Sequence, residues 1–321
     1  MSDVTLDAVV EGFLQHKRAL GRKYKSEEKE LRLLTRFVQQ RGAAALGEVT
    51  PALLEDFLGS RPRSRPRSFN HLRGVVACLF DWAAAQQLLK QSPLRTRRRR
   101  VTCGRSPFVF DTTQARQLLR TAAALPDNAR ARERGLTYRC IFALCYGLGL
   151  RVGETCGLHL GDVDLERDVL VVRGGKFGKD RLVPFGPRIA ELLSQQVQHR
   201  QSTAVDAHAP LFTFDGRTHA HPGTVSQTFH RLVADLDLPL RAGVSPPRLH
   251  DLRHSFAVGT LLRWYKEGVD PSTRLLQLST FLGHVDPSST AVYLKMTPEL
   301  LQEANRRFES FARPAWEEAL H

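Results

Sequence analysis

Four short segments hold the groups that could do chemistry: YGLGLRVGE (146–154), GGKFGKDRLVPF (174–185), HDLRHSF (250–256) and LGHVDPSSTAVY (282–293). Together they supply Arg151 and Arg253, the lysines Lys176 and Lys179, the histidines His250, His254 and His284, and Tyr293, all on or near glycine turns or helix starts. Each segment is a weak signal alone. As a set they suit a phosphodiester. Two guanidiniums can clamp the non-bridging oxygens bidentately and neutralise the charge that grows in a five-coordinate transition state. A lysine can protonate a leaving alkoxide, and a histidine can accept a proton near neutral pH. A tyrosine can attack phosphorus and hold a covalent intermediate. A free phenol ionises near pH ~10, so it needs a base and local positive charge to act. The cations here are side chains, so no metal and no cofactor is expected.

These groups need a scaffold, and the spacing of apolar residues predicts two parts. The first reads as four amphipathic helices in a small bundle. Leu6, Val9, Val10, Phe13 and Leu14 mark one helix that stops near Gly21. Ser26 is a candidate cap for a second, over Leu31, Leu34, Phe37 and Val38. Thr50-Pro51 starts a third, and a fourth runs from about 68 to 88. Ser92-Pro93 marks a break, followed by Arg95 and the run Arg97–Arg100. Such a run is either a solvated linker or a segment lying against phosphates. The second part is mixed. A helix starts at Thr112 or Thr113, a longer apolar one spans about 131–146, and a short one runs from about Arg151 to Leu158. VLVVR (169–173) and RLVPF (181–185) read as two strands joined by a glycine turn, and the rest is mostly helical apart from a loop-like stretch at 200–222. The expected fold class is α+β, mostly helical with a small antiparallel sheet. The expected division is 1–90 helical, 91–106 basic linker and 107–321 catalytic.

Composition narrows the function classes. With 321 residues, 42% hydrophobic and 25% charged, the chain is neither mostly disordered nor collagen-like. No apolar run is long enough for a membrane span, and the N-terminus lacks the basic-then-apolar order of a secretory signal. Five cysteines without a CxxC pair read as reduced thiols in a cytoplasmic protein. The net charge is +14, and residues 1–104 carry 20 basic against 10 acidic side chains, which suits a polyanion such as nucleic acid.

The four segments resemble the tyrosine recombinase (phage integrase) family, over the whole chain. Arg151 sits in GLRVGE like the family's first arginine box, with Glu154 one turn on. His250 and Arg253 match its H-x-L-R-H box, closed by His254. His284 matches the leucine-glycine-histidine box, and Tyr293 follows it by nine residues. Lys176 matches the family's hairpin lysine, although Phe177 stands where many members have glycine and Lys179 is close by. The resemblance implies an N-terminal core-binding domain and a catalytic domain that clamp double-stranded DNA. It implies Tyr293 as nucleophile, giving a 3′-phosphotyrosine, with Arg151 and Arg253 holding the phosphate. Lys176 is then the general acid, His250 the base for Tyr293, and His284 a second phosphate donor. Glu154 orients the first arginine box. The resemblance further implies no ATP, a homo-tetramer on two duplexes, and in some mobile elements partner recombinases. The last helix, about 297–311, docks either on a neighbouring protomer or on its own domain.

Other readings are weaker. His250 and His254 are spaced as on a zinc helix, but a third ligand is not evident and Arg253 would face the metal. GGKFGK lacks the ending of a phosphate loop and lies between strands. His208, His219 and His221 read as exposed loop side chains. Tyr24, Tyr138, Tyr146 and Tyr265 read as packing or surface residues. Two function classes compete with a recombinase: a type IB topoisomerase with similar phosphotyrosine chemistry, and an accessory DNA-binding subunit.

Overall fold

The computed structural model describes residues 4–101, 106–129, 131–174, 180–203, 206–284 and 286–295, with 302, 305, 306 and 309 beyond them. Lys176, Lys179 and most of the 297–311 segment lie outside the described residues. The chain divides into two compact units, Met1–Gly104 and Arg105–His321. No described helix is long and apolar enough to cross a membrane.

The first unit is built from α1 (Leu6–Ala19), α2 (Lys25–Gln40), α3 (Pro51–Gly59) and α4 (Pro66–Ala85). Thr5 and Thr50 cap α1 and α3 through their hydroxyls. The apolar faces meet around Val10, Phe13, Leu34, Phe57, Leu72 and Phe80, all fully buried. Each such side chain contributes about 1.5–3 kcal/mol on leaving water. Two boundaries differ from the spacing. The α2 helix starts after Tyr24, held left-handed at φ 47°, and not from a Ser26 cap. The α4 helix ends at Ala85, because Gln87 turns to φ 59°. The basic segment after it is not free of the unit. Leu94 is buried in this core, Arg73 donates to Thr96 O, and the Arg99 backbone N–H bonds Asn70. The Arg99 guanidinium lies 3.8 Å over the Phe69 ring, so the run lies along α4 with Arg97, Arg98, Arg99 and Arg100 exposed.

The second unit starts with α5 (Thr112–Ala123), closed by an Asp111/Gln114 capping box. Then come α6 (Arg134–Gly147), α7 (Val152–Cys156), and strands β1 (Val163–Asp164), β2 (Val169–Val172) and β3 (Arg181–Pro184). These strands form one antiparallel sheet in sequence order, with Leu170 opposite both Val163 and Val183. The short β1 was not legible in the spacing, because two residues give no alternation to read. Helices α8 (Pro187–Gln201), α9 (Pro222–Ala234), α10 (Asp251–Lys266), α11 (Pro271–Leu282) and α12 (Ser288–Ala291) follow, and a 3-10 turn covers Val292–Lys295. The α6 helix is apolar almost all round, with Tyr138, Ile141, Phe142, Leu144 and Cys145 buried, which makes it the central rod of this unit. A smaller core of Ala257, Val258, Leu261, Leu278 and Leu282 packs α10 and α11 beneath Tyr293.

Candidate active site

The first arginine is placed by a helix start. The α6 helix stops at Gly147, and Gly149 turns left-handed at φ +62° where an added Cβ would lie 2.6 Å from Phe256. Arg151 is then the N-cap of α7, and Glu154 at the third helical position reaches back to it. The Glu154 carboxylate accepts from the Arg151 backbone N–H at 3.0 Å and from its Nη1 at 2.6 Å. It also accepts from Arg181 Nη1 and Nη2, at 3.1 and 2.8 Å. Burial pushes this carboxyl up, but the Arg181 and Arg151 hydrogen bonds and charges overcome it and hold the group at about 2. The carboxylate therefore fixes two guanidiniums, the orienting role expected of Glu154.

The second arginine comes from the first turn of α10. Arg253 is 1% exposed. Its Nη1 donates to Gly149 O at 2.6 Å and its Nη2 to Leu282 O at 2.7 Å, while its buried Nε has no hydrogen-bond partner among the described residues. Burial and the like charge of Arg151 lower it to about 10, so it stays cationic at neutral pH. Arg151 reaches the same place: Nη1 to Leu282 O at 3.4 Å and Nη2 to Gly283 O at 3.1 Å. The end of α11 presents these carbonyls because Gly283 closes that helix in the left-handed region at φ +67°. Arg181 adds a third tie there, from Nε to Phe281 O at 3.0 Å. Two cationic forks thus converge on one helix end.

The aromatic groups complete the site. Tyr293 is 3% exposed on the 3-10 turn. Its hydroxyl and His254 Nδ1 are 3.0 Å apart, and its ring stacks with His284 at 6.2 Å between centroids. His284 Nδ1 pairs with Thr290 Oγ1 at 2.7 Å. The rings of His250, the N-cap of α10, and His254 meet edge-to-face at 4.7 Å. Burial, reinforced by nearby arginines, lowers His250, His254 and His284 each to about 4, so all are neutral at pH 7. Burial raises Tyr293 above its usual value, opposed by the fields of Arg253 and Arg151.

The structure therefore gathers Arg151, His250, Arg253, His284 and Tyr293, and Lys176 lies outside the described residues. No hydrogen bond joins His250 to Tyr293 among the described residues; His254, one turn further along α10, meets the hydroxyl. Arg181 and Asp251 were missed by the sequence reading. Arg181 had a signal: it is in phase with the buried Val183, an arginine at an inward strand position. Among the described residues no group of three or more His, Cys, Asp or Glu is placed to hold a metal ion.

The chain matches the model of the phage integrase family over residues 109–299. It is 34% identical over 314 residues to the integrase/recombinase y4rB of Sinorhizobium fredii, covering 95% of this chain and 97% of that protein. Its fold is similar to the Tn1549 transposon integrase in complex with transposon right end DNA, at TM-score 0.65 and 17% identity over 95% of this chain and 99% of that one. It is also similar to a lambda integrase tetramer bound to a Holliday junction, at TM-score 0.62 and 19% identity over 88% and 78%.

Proposed function

Because the chain belongs to the phage integrase family of tyrosine recombinases, and so is an enzyme that breaks and rejoins DNA strands, we propose that Tyr293 is its nucleophile and that Arg151, Lys176, His250, Arg253 and His284 complete its catalytic set. The observation that carries this reading is the meeting of the Arg151 and Arg253 guanidiniums at the Leu282 carbonyl, next to His284, whose ring stacks with that of Tyr293. Preorganised forks at that point favour the charge that builds on a phosphorane, and reorganise little as it forms. Tyr293 Oη attacks the scissile phosphorus, the bond to the 5′-oxygen breaks, and a 3′-phosphotyrosine is left. Lys176 gives the proton that the 5′-oxygen takes up. His284 hydrogen-bonds the phosphate. The covalent bond conserves the energy of the broken one, so rejoining needs no ATP.

The partner is double-stranded DNA. The charge excess of residues 1–104 and the exposed arginine run along α4 supply phosphate contacts. Strand exchange runs in the cytoplasm on a homo-tetramer holding two duplexes. The lambda integrase tetramer on a Holliday junction supports that stoichiometry by likeness of fold. Partner recombinases are a further element of the proposal.

Covalent capture on a random pool of nicked duplexes tests the reading. Wild type and Tyr293→Phe are incubated with the pool, denatured, and the protein-bound DNA is sequenced. Adducts that need Tyr293 and share one sequence are expected. Adducts formed by Tyr293→Phe would refute the nucleophile, and Tyr293-dependent adducts scattered over sequence would point to a topoisomerase.

A further inference from the structure

A buried phenol has to lose its proton before it can attack phosphorus, and the structure supplies a receiver. The Tyr293 hydroxyl bonds Nδ1 of His254 at 3.0 Å, with ring centroids 5.4 Å apart. For Nδ1 to accept, the ring proton must sit on Nε2. That nitrogen faces Asp251 Oδ1 at 3.8 Å. Asp251 is fully buried and its carboxylate is held by Arg248, through the backbone N–H at 2.9 Å and Nη2 at 2.9 Å. A buried carboxylate behind Nε2 favours the tautomer that keeps the proton there and leaves Nδ1 open to accept. The arrangement follows the logic of nucleophile, base and orienting carboxylate, with a phenol in the first place.

We propose that His254 is a catalytic residue of this enzyme: the base that takes the Tyr293 proton in strand cleavage and returns it in rejoining, with Asp251 as the positioning residue behind it. The inference rests on Tyr293 being the nucleophile. In cleavage the O–H bond of Tyr293 breaks, its proton goes to His254 Nδ1, and Oη forms the bond to phosphorus. The phosphorus–oxygen bond to the 5′ carbon breaks, and that oxygen takes a separate proton from Lys176. In rejoining the 5′-hydroxyl gives its proton back to Lys176 and attacks phosphorus. Tyr293 then departs as a phenolate and recovers its proton from the His254 imidazolium. His254 is neutral before cleavage, because burial and the charges of Arg248 and Arg253 disfavour its cation.

The test uses the full chain and a nicked duplex carrying the sequence enriched by covalent capture, with either a 5′-bridging oxygen or a 5′-bridging sulfur at the cleavage point. A sulfur leaving group needs no proton, so it bypasses the acid but not the base. His254→Gln keeps a polar side chain of similar reach but accepts no proton. Its expected single-turnover cleavage is slower by about 10²-fold or more, with DNA affinity and melting as in wild type, and with no recovery on the sulfur substrate. Lys176→Ala should recover on that substrate. Wild-type cleavage by His254→Gln, or its rescue by sulfur, would overturn the proposal. Should His254→Gln fail to fold, His254→Ala with added imidazole decides. Recovery that rises with imidazole supports the base, and a flat response overturns it. Failure of the underlying reading looks different, since wild type would then form no adduct or Tyr293→Phe would form one.

Discussion

Replacing Glu154 by Gln tests whether one carboxylate holds the arginine pair together. Its side chain is 8% exposed and lies between Arg151 and Arg181. The carboxyl sits at about 2 in the fold against an ordinary 4.5. A difference of that size corresponds to about 3 kcal/mol of stability at neutral pH. Glutamine keeps the shape but leaves two guanidiniums facing each other without a counter-charge, so the second unit should lose about 3 kcal/mol, or about 6–12 °C in Tm for a unit of this size. The sign of the pH dependence is fixed. A carboxyl whose folded value lies below its unfolded one contributes fully above pH 4.5 and loses that contribution as pH falls toward 2. The gap between wild type and Glu154→Gln should therefore narrow by about 0.8 kcal/mol at pH 4 and about 2 kcal/mol at pH 3. The site histidines titrate in both chains, so to first order they cancel in this difference. Urea denaturation and calorimetry from pH 7 downward measure the gap. A variant as stable as wild type at pH 7, or a gap that does not change with pH, would refute the reasoning.

Arg151→Lys keeps the charge but loses the planar fork, so cleavage should fall by about 10²–10³-fold while DNA binding is retained, measured by single-turnover adduct formation and by gel shift. Gly283→Ala forces a side chain into φ +67° with its Cβ 2.9 Å from Arg181 Nη1. It should cost about 1–3 kcal/mol in urea denaturation and slow cleavage, because the α11 carbonyls that hold both forks would move. His250, His254 and His284 sit at about 4 against an ordinary 6.5. The fold binds them neutral, so stability should fall as pH drops from 6.5 toward 4, and replacing His284 by Gln should flatten that limb in a pH series of melting curves.

Much of this molecule was legible in one dimension, for a physical reason. Helices and hairpins are local, so apolar spacing located the four bundle helices, the apolar α6 and the β2–β3 pair. The chemistry was legible because it needs residue types that are costly elsewhere: arginines, histidines and a tyrosine at glycine turns. Boundaries were less legible. Tyr24 and Gln87 adopt left-handed turns that their residue types do not announce, which moved the start of α2 and the end of α4. The arginine run gave no sign that Arg99 would stack on Phe69, because residues 30 apart meet only once α4 exists.

The residues alone thus determined which groups could handle a phosphate and which family they resemble. Tertiary structure decided how those groups are paired. His250 and His254 are indistinguishable by type and separated by one helical turn, and only the packing of the 3-10 turn on α10 brings Tyr293 to His254. Arg181 lies 27 positions from Glu154 and 100 from Phe281, yet it ties both into one corner. Spacing reports neighbours along a helix or strand. Contacts across 100 residues depend on how whole elements pack, and that information exists only in the folded chain.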